Sequence, residues 1–416
     1  MANESTASEP RADLQTAQNR MFSFVGEALN RSEAAGEIAN LLENPAALKT
    51  KHEEVRQQLF DLLCLPENAR DGWHMGIADS GKRTIELLVN FLCPGQEGKN
   101  AIVDTENYVG YNKFSAAKAL EKQKGVAFET PFNVALGHAL TINADEEVEK
   151  LERLLGDNRF DTLWLSWNST STGIRERIGQ VVQRRNTVGS KTLIVADAAS
   201  LRLFSNEWNE TMAGNLPDVF FFSLRKQGLP YDGPNDEFHQ AQNSGSLIVF
   251  NYSALERVRQ IGADTLYDSP TFAEFTDGRI TPGEQRTNHV RHLLKLDSAL
   301  AHFMDGDRQR LAALDRACNA AQSKIREAFA TNGNGSVSKF SLFSDPAAQS
   351  DSAYILNVPE TTSAKKVISS LKEDGILISA CMHPKMDGQR YVRFAFYPGN
   401  TTEEVDYLLE RIGSLA

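Results

Sequence analysis

The central part of the chain alternates short apolar runs with segments whose apolar residues recur every three to four positions. The periodic segments, such as residues 145–155 and 174–185, are typical of amphipathic helices. The apolar runs lie at residues 101–103, 162–167, 192–196 and 219–223. Short apolar runs between helices are typical of buried parallel strands joined by right-handed crossovers. The pattern therefore predicts an α/β fold with a mainly parallel sheet.

The pattern changes towards both ends of the chain, and these changes predict the domain limits. Residues 1–20 are polar and lack a periodic apolar face, which indicates a flexible extension. We expect residues 21–290 to form the large α/β domain, which begins with covering helices. We expect residues 291–416 to form a linker helix and a small C-terminal α+β domain. The elements predicted for this last part are a long helix over 288–330, strands at 353–358 and 391–395, and helices at 364–373 and 402–412.

The composition of the 416 residues is that of a globular protein, with 41% hydrophobic and 24% charged residues. The net charge of -11 argues against nucleic acid or an anionic membrane as the main partner. No apolar run has the length of a membrane span or the pattern of a secretory signal, so we expect a cytoplasmic protein. The cysteines lack metal-site spacing and are expected to be core thiols; they are Cys64, Cys93, Cys318 and Cys381.

Two oppositely charged residues stand at the ends of two predicted strands. Asp197 follows the run 192–196, and Lys226 comes just after the run 219–223. Ligands of open α/β sheets bind at the carboxyl ends of the strands. Pyridoxal 5′-phosphate (PLP) needs such a pair, because a lysine amine forms the Schiff base and a carboxylate keeps the pyridine nitrogen protonated. The two residues alone also permit a plainer interpretation, in which Asp197 caps a helix and Lys226 is a solvated loop residue.

Four segments, taken in order, resemble the landmarks of class V aminotransferases, and among these most of all phosphoserine aminotransferase. They are WNSTSTG at 167–173, DAAS at 197–200, SLRK at 223–226 and YVRFAFY at 391–397. The resemblance extends over residues 76–409, and it implies fold type I, with a large PLP-binding domain around a mainly parallel sheet of the seven-stranded type and a small C-terminal α+β domain. It also implies a homodimer with active sites at the subunit interface.

The resemblance assigns roles to residues of these segments. Lys226 becomes the lysine that forms the Schiff base with PLP and shuttles the proton at the substrate Cα, and Asp197 pairs with the pyridine nitrogen. Thr170 stands where the family places a hydroxyl near the phenolic oxygen of the cofactor. Ser200 and Ser223 stand where hydroxyls help to hold the phosphate.

Further cofactor residues are expected from the same resemblance. Ser80 and Gly81 precede a predicted helix, whose N-terminal N–H groups suit a phosphate dianion, although such a loop also suits a simple helix N-cap. Thr287 resembles the threonine that reaches the phosphate from the partner subunit. The residue that stacks on the pyridine ring is expected to be Tyr108, since Val109, the other candidate of this register, has no aromatic face. Tyr108 is alternatively an ordinary half-buried tyrosine.

Arg393 lies where the family uses an arginine to bind the substrate α-carboxylate, a task that suits a planar two-pronged donor. The alternative is a surface arginine on a strand. The chain departs from the family beside Lys226, where Leu224 and Arg225 replace Trp-Gln and residues 227–245 replace a glycine-rich stretch. Arg225 is a candidate for binding phosphate or a substrate anion, or is a solvated loop charge. Because of these departures, the substrate is expected to differ from phosphoserine.

The resemblance implies a PLP-dependent enzyme that acts on an amino acid through an external aldimine. The first interpretation is an aminotransferase. The alternative is β- or γ-elimination, replacement or carbon–carbon bond formation in a specialised biosynthetic reaction, because the same residues serve both. A non-catalytic binding protein would be expected to lack the lysine or the aspartate, and the chain has both. No HExxH motif supports a metal hydrolase, and no metal is expected.

Overall fold

The computed structural model describes most of the chain from residue 31 onwards. The described residues are 31–65, 67–78, 81–93, 99–103, 128–132, 137–140, 145–201, 215–223, 246–261, 309–329, 339–376, 378–381, 386–395 and 402–415, together with helical positions between 290 and 301.

A seven-stranded sheet forms the centre of the larger part of the molecule, with the strand order β1-β7-β6-β5-β4-β2-β3. Strand β7 is antiparallel to both of its neighbours, and the other pairs are parallel. The mainly parallel sheet predicted from the apolar runs is thus confirmed. Its strands are β1 (Trp73–Ala78), β2 (Asn100–Val103), β3 (Phe128–Glu129), β4 (Thr162–Ser166), β5 (Leu193–Asp197), β6 (Val219–Ser223) and β7 (Ser246–Asn251).

Helices cover both faces of this sheet, because alternate residues of each buried strand point to opposite faces. The helices are α1 (Arg31–Glu43), α2 (Pro45–Leu62), α3 (Glu67–Arg70), α4 (Gly81–Leu92), α5 (Asp145–Gly156), α6 (Ile178–Thr187) and α7 (Tyr252–Ile261). Helices α4 and α7 pack with Leu193 and Val195 of β5 on one face. Helices α2, α5 and α6 pack with Ile194 and Ala196 on the other.

A second sheet follows in the C-terminal part, with the antiparallel strand order β10-β11-β9-β8. Its core includes Ile325, Leu371, Leu408 and the stacked rings of Tyr354 and Phe394. Its elements are α8 (Gln309–Phe329), β8 (Ser341–Leu342), a 3-10 turn (Pro346–Ala348), β9 (Ala353–Asn357), α9 (Ala364–Glu373), β10 (Ser379–Ala380), β11 (Tyr391–Ala395) and α10 (Thr402–Ser414). This is the α+β pattern predicted for the C-terminal part.

Two sequence predictions need correction. The helix predicted over 174–185 begins only at Ile178, because Ile174 and Arg175 form β-bridges with Gln349 and Asn168. Cys64 is exposed and is not a core thiol, since it follows the end of α2 with a positive φ of 56° that turns the chain. Cys93 and Cys381 are buried, as predicted.

Asp218 supports the end of the sheet at which the parallel strands begin. Its buried carboxylate accepts hydrogen bonds from Arg185 Nη1 at 2.7 Å, Asn251 Nδ2 at 2.7 Å and the Ile194 amide at 2.8 Å. A buried carboxylate with this many donors, one of them charged, joins α6, β5 and β7 at this edge. These hydrogen bonds therefore hold the elements together at this end of the sheet.

His52 is a buried titratable group in α2, where it lies among the apolar residues that face the sheet. Burial is the main cause that lowers its pKa from the ordinary 6.5 to about 4, and nearby Arg56 lowers it further. The folded protein therefore holds a neutral imidazole at a pH where the unfolded chain binds a proton. Stability is fully present above pH 6.5 and is lost as the pH falls towards 4.

Replacing His52 with Gln is expected to remove this pH dependence, since glutamine does not titrate. Between pH 7.5 and pH 5.0 the free energy of unfolding of the wild-type protein is expected to fall by about 2 kcal/mol more than that of H52Q. Urea denaturation followed by tryptophan fluorescence at the two pH values measures the difference. Equal losses in the two proteins would contradict the assignment of a depressed pKa to His52.

Candidate active site

The carboxyl ends of the parallel strands meet at one edge of the seven-stranded sheet. Strands β4, β5 and β6 end there at Ser166, Asp197 and Ser223. Strand β1 ends at the same edge, because its last residue Ala78 and Ser223 both pair with Ser246 of β7. Helix α4 begins three residues later at Gly81. This edge therefore brings a helix N-terminus and the end of β5 to one side of the sheet, where ligands of open α/β sheets bind.

Asp197 is the half-buried last residue of β5 and lies on the face that α4 covers, as Leu193 and Val195 do. Its Oδ1 accepts a hydrogen bond of 2.8 Å from the Ala199 amide, which fixes the orientation of the carboxylate. Its backbone carbonyl accepts one from the Trp167 amide at 2.8 Å. The turn after β5 and the loop after β4 thus hold this acid from both sides.

The Asp197 side chain also borders a small cavity that is otherwise apolar. Ile85 and Val89 of α4, Trp164 of β4 and Phe221 of β6 are among its walls. Helix α4 and Asp197 therefore border the same cavity.

The loop after β4, residues 167–175, is almost entirely buried. Asn168, which is 2% exposed, donates from Nδ2 to the Ser200 carbonyl at 3.3 Å, so the loop is tied to the turn after β5. Within the loop, Ser169 Oγ accepts from the Thr172 amide at 3.1 Å and from the Thr172 hydroxyl at 2.5 Å. These bonds fix the backbone around Thr170.

The same loop is held from the other side by the segment that leads into β9. Ser344 Oγ donates to the carbonyls of Thr172 at 2.7 Å and Gly173 at 3.0 Å, and Gln349 Nε2 donates to that of Gly173 at 3.2 Å. Ser352 donates its hydroxyl to the Ser200 carbonyl. The loop after β4 and the turn after β5 therefore lie between the two sheets and are bonded to both.

A charged network reinforces this contact. The buried carboxylate of Asp351 pairs with Arg175 at 3.1 Å and with Arg326 of α8 at 3.2 Å. Its backbone carbonyl accepts from Gln322 Nε2 at 2.6 Å. The network connects the end of the loop after β4 to the long helix beside the second sheet.

Arg393 reaches this loop from β11 in the second sheet. Its Nε donates to Ser379 Oγ at 3.1 Å, and its Nη1 lies 3.4 Å from the Thr170 carbonyl. Both partners are neutral, and the guanidinium forms no ion pair with a carboxylate of the described residues. A half-buried guanidinium that has only neutral partners favours the approach of an anion.

The structure brings several of the residues predicted from the sequence to one place. Asp197, Ser200 and Thr170 lie on the two connected loops, Arg393 contacts Thr170, and Gly81 begins the helix that borders the space at Asp197. Ser223 ends the adjacent strand β6. The predicted residues Ser80, Tyr108, Arg225, Lys226 and Thr287 lie outside the described residues.

Sequence reasoning did not find the residues that hold these groups in place. Asn168 lies inside the WNSTSTG run, and its position in that run is the only signal it offered. Ser352, Asp351 and Ser379 come from distant segments and have side chains that are common on any surface. Their importance follows from contacts between the two sheets, which no local pattern contains.

Among the described residues, no cluster of three or more His, Cys, Asp or Glu side chains has the geometry of a metal site. In the same part of the chain, no helix is long and apolar enough to cross a membrane.

No protein-family model matches the chain, and no curated protein matches it. Solved structures do match over nearly the whole length. A phosphoserine aminotransferase from Cytophaga hutchinsonii matches with a TM-score of 0.61 and 16% identity. The match covers 97% of this chain and 94% of the aminotransferase chain. A cysteine desulfurase from Thermococcus onnurineus matches with a TM-score of 0.61 and 14% identity. The match covers 100% of this chain and 99% of the desulfurase chain. A ureidoglycine-glyoxylate aminotransferase from Bacillus subtilis matches with a TM-score of 0.58 and 14% identity. The match covers 91% of this chain and 89% of the aminotransferase chain.

At such low identity these likenesses show the fold. The chain has the same fold as these three enzymes, and the fold type I architecture that the resemblance implied is thus confirmed.

The close contact between the loop and the second sheet is expected to depend on Gly173. Its φ is +69°, and a Cβ there would lie 2.9 Å from Ser344 Oγ and 3.2 Å from the Ala353 carbonyl. Gly375 is a matched control, because its φ is +80° and nothing lies within 4 Å of a Cβ there. G375A is expected to lower the free energy of unfolding by about 1 to 2 kcal/mol through backbone strain alone.

G173A is expected to cost about 2 kcal/mol more than G375A, because the added methyl group also forces the loop and β9 apart. Urea denaturation followed by far-ultraviolet circular dichroism compares the two variants. Equal losses of stability would show that the loop is not in tight contact with the second sheet.

Proposed function

We propose that the protein is a PLP-dependent enzyme that acts on an amino acid, and that it is an aminotransferase related to phosphoserine aminotransferase but specific for another substrate. The observation that carries the proposal is the position of two charges around one loop. Asp197 is oriented at the end of β5. The guanidinium of Arg393, which has no carboxylate partner among the described residues, reaches the loop that is bonded to the end of β5. A carboxylate for the cofactor and a cation for the substrate are thereby brought to the same edge of the sheet.

The residues present fit PLP. The Asp197 carboxylate, fixed by the Ala199 amide, suits a protonated pyridine nitrogen. Helix α4 begins at the same edge with Gly81, and a Cβ there would meet nothing within 4 Å among the described residues, which suits the approach of a phosphate to the N–H groups of the first turn. When bound, PLP supplies an electron sink that stabilises negative charge at the substrate Cα.

The further cofactor contacts rest on the sequence resemblance. Lys226, three residues beyond the end of β6, is the residue that we propose to be attached to PLP. Ser80, Gly81, Ser200 and Ser223 would hold the phosphate, together with Thr287 of the partner protomer in a homodimer. Thr170 would donate to the phenolic oxygen, and Tyr108 would stack on the ring.

The substrate is held and deprotonated by residues of both sheets. Arg393 would bind the α-carboxylate of the substrate. Lys226 would accept the Cα proton and, in transamination, would serve as the general base and acid that carries this proton. Asp197 keeps the pyridine nitrogen protonated throughout, and Arg225 is the proposed contact for a second anionic group of the substrate. The buried loop after β4 keeps water away from one side of this site.

A second candidate function is elimination, replacement or carbon–carbon bond formation at the same site. Residues 227–245 depart from the family beside the proposed lysine, and the structures with the same fold include a cysteine desulfurase as well as aminotransferases. Such reactions need the same lysine, aspartate and arginine.

Replacing Lys226 with Ala is expected to abolish the visible absorption of the protein loaded with PLP, because the conjugated C=N bond to the lysine is lost. K191A is the matched control, since Lys191 is an exposed residue before β5, and it is expected to keep the band. An absorption spectrum of each purified protein measures this. Absence of a visible band in the wild-type protein after addition of PLP would overturn the proposed function.

The same spectra distinguish the two candidate reactions when amino acids such as alanine, glutamate and phosphoserine are added. Lasting loss of the visible band, with formation of a keto acid and no release of ammonia, supports transamination, because the amino nitrogen stays on the cofactor. Release of ammonia with the keto acid, or a new long-wavelength band without keto acid, supports the second candidate.

Replacing Arg393 with Ala is expected to weaken binding of the amino acid on the order of 50-fold, because a charged two-pronged contact is removed. The visible band of the cofactor is expected to stay unchanged, because Arg393 is not a proposed cofactor ligand. Arg390, which pairs at 3.6 Å with the highly exposed Glu360, is the control, and R390A is expected to bind normally. Spectral titration measures the affinity, and unaltered binding by R393A would exclude it as the carboxylate ligand.

A further inference from the structure

Two of the three nitrogen atoms of the Arg393 guanidinium, Nε and Nη1, form hydrogen bonds within the protein. Nε donates to Ser379 Oγ at 3.1 Å, and Nη1 lies 3.4 Å from the Thr170 carbonyl. Nη2 has no hydrogen-bond partner among the described residues, and Nη1 carries a second N–H. The N–H groups that remain for a ligand are thus those of Nη1 and Nη2, at the outer end of the guanidinium.

A carboxylate can meet a guanidinium through Nε and one terminal nitrogen, or end-on through both terminal nitrogens. The bond to Ser379 occupies Nε, so the first arrangement lacks a donor. We propose that Ser379 is a positioning residue, which holds Arg393 so that the α-carboxylate of the substrate binds end-on to Nη1 and Nη2. This inference rests on the proposed function.

The strand register explains how Ser379 does this. Ser379 of β10 lies directly opposite Arg393 of β11, and both strands are short and half-buried at this point. Side chains of directly opposed residues lie on the same face of the sheet and within contact distance. A hydroxyl accepts the Nε–H bond without neutralising the guanidinium, whereas a carboxylate at this position would form an ion pair and compete with the substrate.

The end of β10 is itself fixed to the loop that carries Thr170. Cys381 donates from its backbone amide to the Tyr391 carbonyl at 3.2 Å. Its buried Sγ lies 2.9 Å from the Ser171 carbonyl. The segment that carries Ser379 is therefore in contact with the loop as well as bonded to β11, and both contacts support the position of the Ser379 hydroxyl beside Arg393.

The four-stranded sheet offers a matched control on its opposite edge. Ser341 of β8 lies opposite Asn357 of β9, and its Oγ accepts from Asn357 Nδ2 at 3.1 Å. S341A and S379A each remove one cross-strand hydrogen bond from a half-buried serine on a two-residue edge strand. Only Ser379 contacts the proposed carboxylate ligand.

The test compares amino acids with their α-carboxamides in the protein loaded with PLP. L-Alanine, L-serine and L-phosphoserine are each titrated against the corresponding carboxamide, with the visible absorption as the readout. S379A is expected to bind the responsive amino acid about tenfold more weakly, while its affinity for the carboxamide and the rate at saturating amino acid stay within twofold of wild type. S379T is expected to restore binding, because it keeps the hydroxyl, and S341A is expected to resemble the wild type.

The outcomes separate this inference from the proposed function. If S379A binds the amino acid and the carboxamide more weakly by the same factor, Ser379 has a merely structural role. If S379A binds both as the wild type does, Ser379 does not position Arg393. Each result would overturn the inference and leave the proposed function standing. A wild-type protein that responds to no amino acid would overturn both. The cofactor band and the circular dichroism spectrum confirm that each variant is folded.

Discussion

The candidate site depends on one constraint, the burial of the loop after β4 between the two sheets. This loop receives hydrogen bonds from Ser344 and Gln349 on one side and bonds to the turn after β5 through Asn168 on the other. Because Gly173 adopts a positive φ in close contact with β9, the loop has little freedom to adjust. Asp197 and Arg393, which come from different sheets, are held around the same loop for this reason.

The two ends of the large sheet use charged groups in opposite ways. Where the parallel strands begin, the carboxylate of Asp218 is surrounded by donors from Arg185, Asn251 and the backbone of β5. Where they end, Arg393 reaches the loop after β4 from β11, and its partners among the described residues are a hydroxyl and a carbonyl. A buried carboxylate that is surrounded by donors is satisfied within the fold, whereas a cation with neutral partners retains its attraction for an anion. This contrast supports the proposal that ligands bind at the carboxyl ends of the strands.

The sequence predicted the parts of the fold that local patterns determine. Strands β4, β5 and β6 are continuous apolar runs, and Asp197 follows from such a run together with the DAAS segment. The apolar pattern does not predict strand β1, because His74 and Gly76 interrupt its run of apolar residues. Its last residue nevertheless lies at the edge where the parallel strands end. The late start of α6 and the contact of Ser379 with Arg393 depend on pairing between distant segments, which no local periodicity records. The roles of Lys226, Tyr108 and Thr287 and the domain limits remain predictions.

The central claim is that Lys226, just beyond β6, holds PLP at the edge of the large sheet where Asp197 ends β5. The most direct measurement is reduction of the PLP-loaded protein with borohydride, which converts the C=N bond into a stable amine, followed by proteolysis and mass spectrometry. The account predicts the added mass on the peptide that contains Lys226. The added mass on another lysine, or on none, would contradict it.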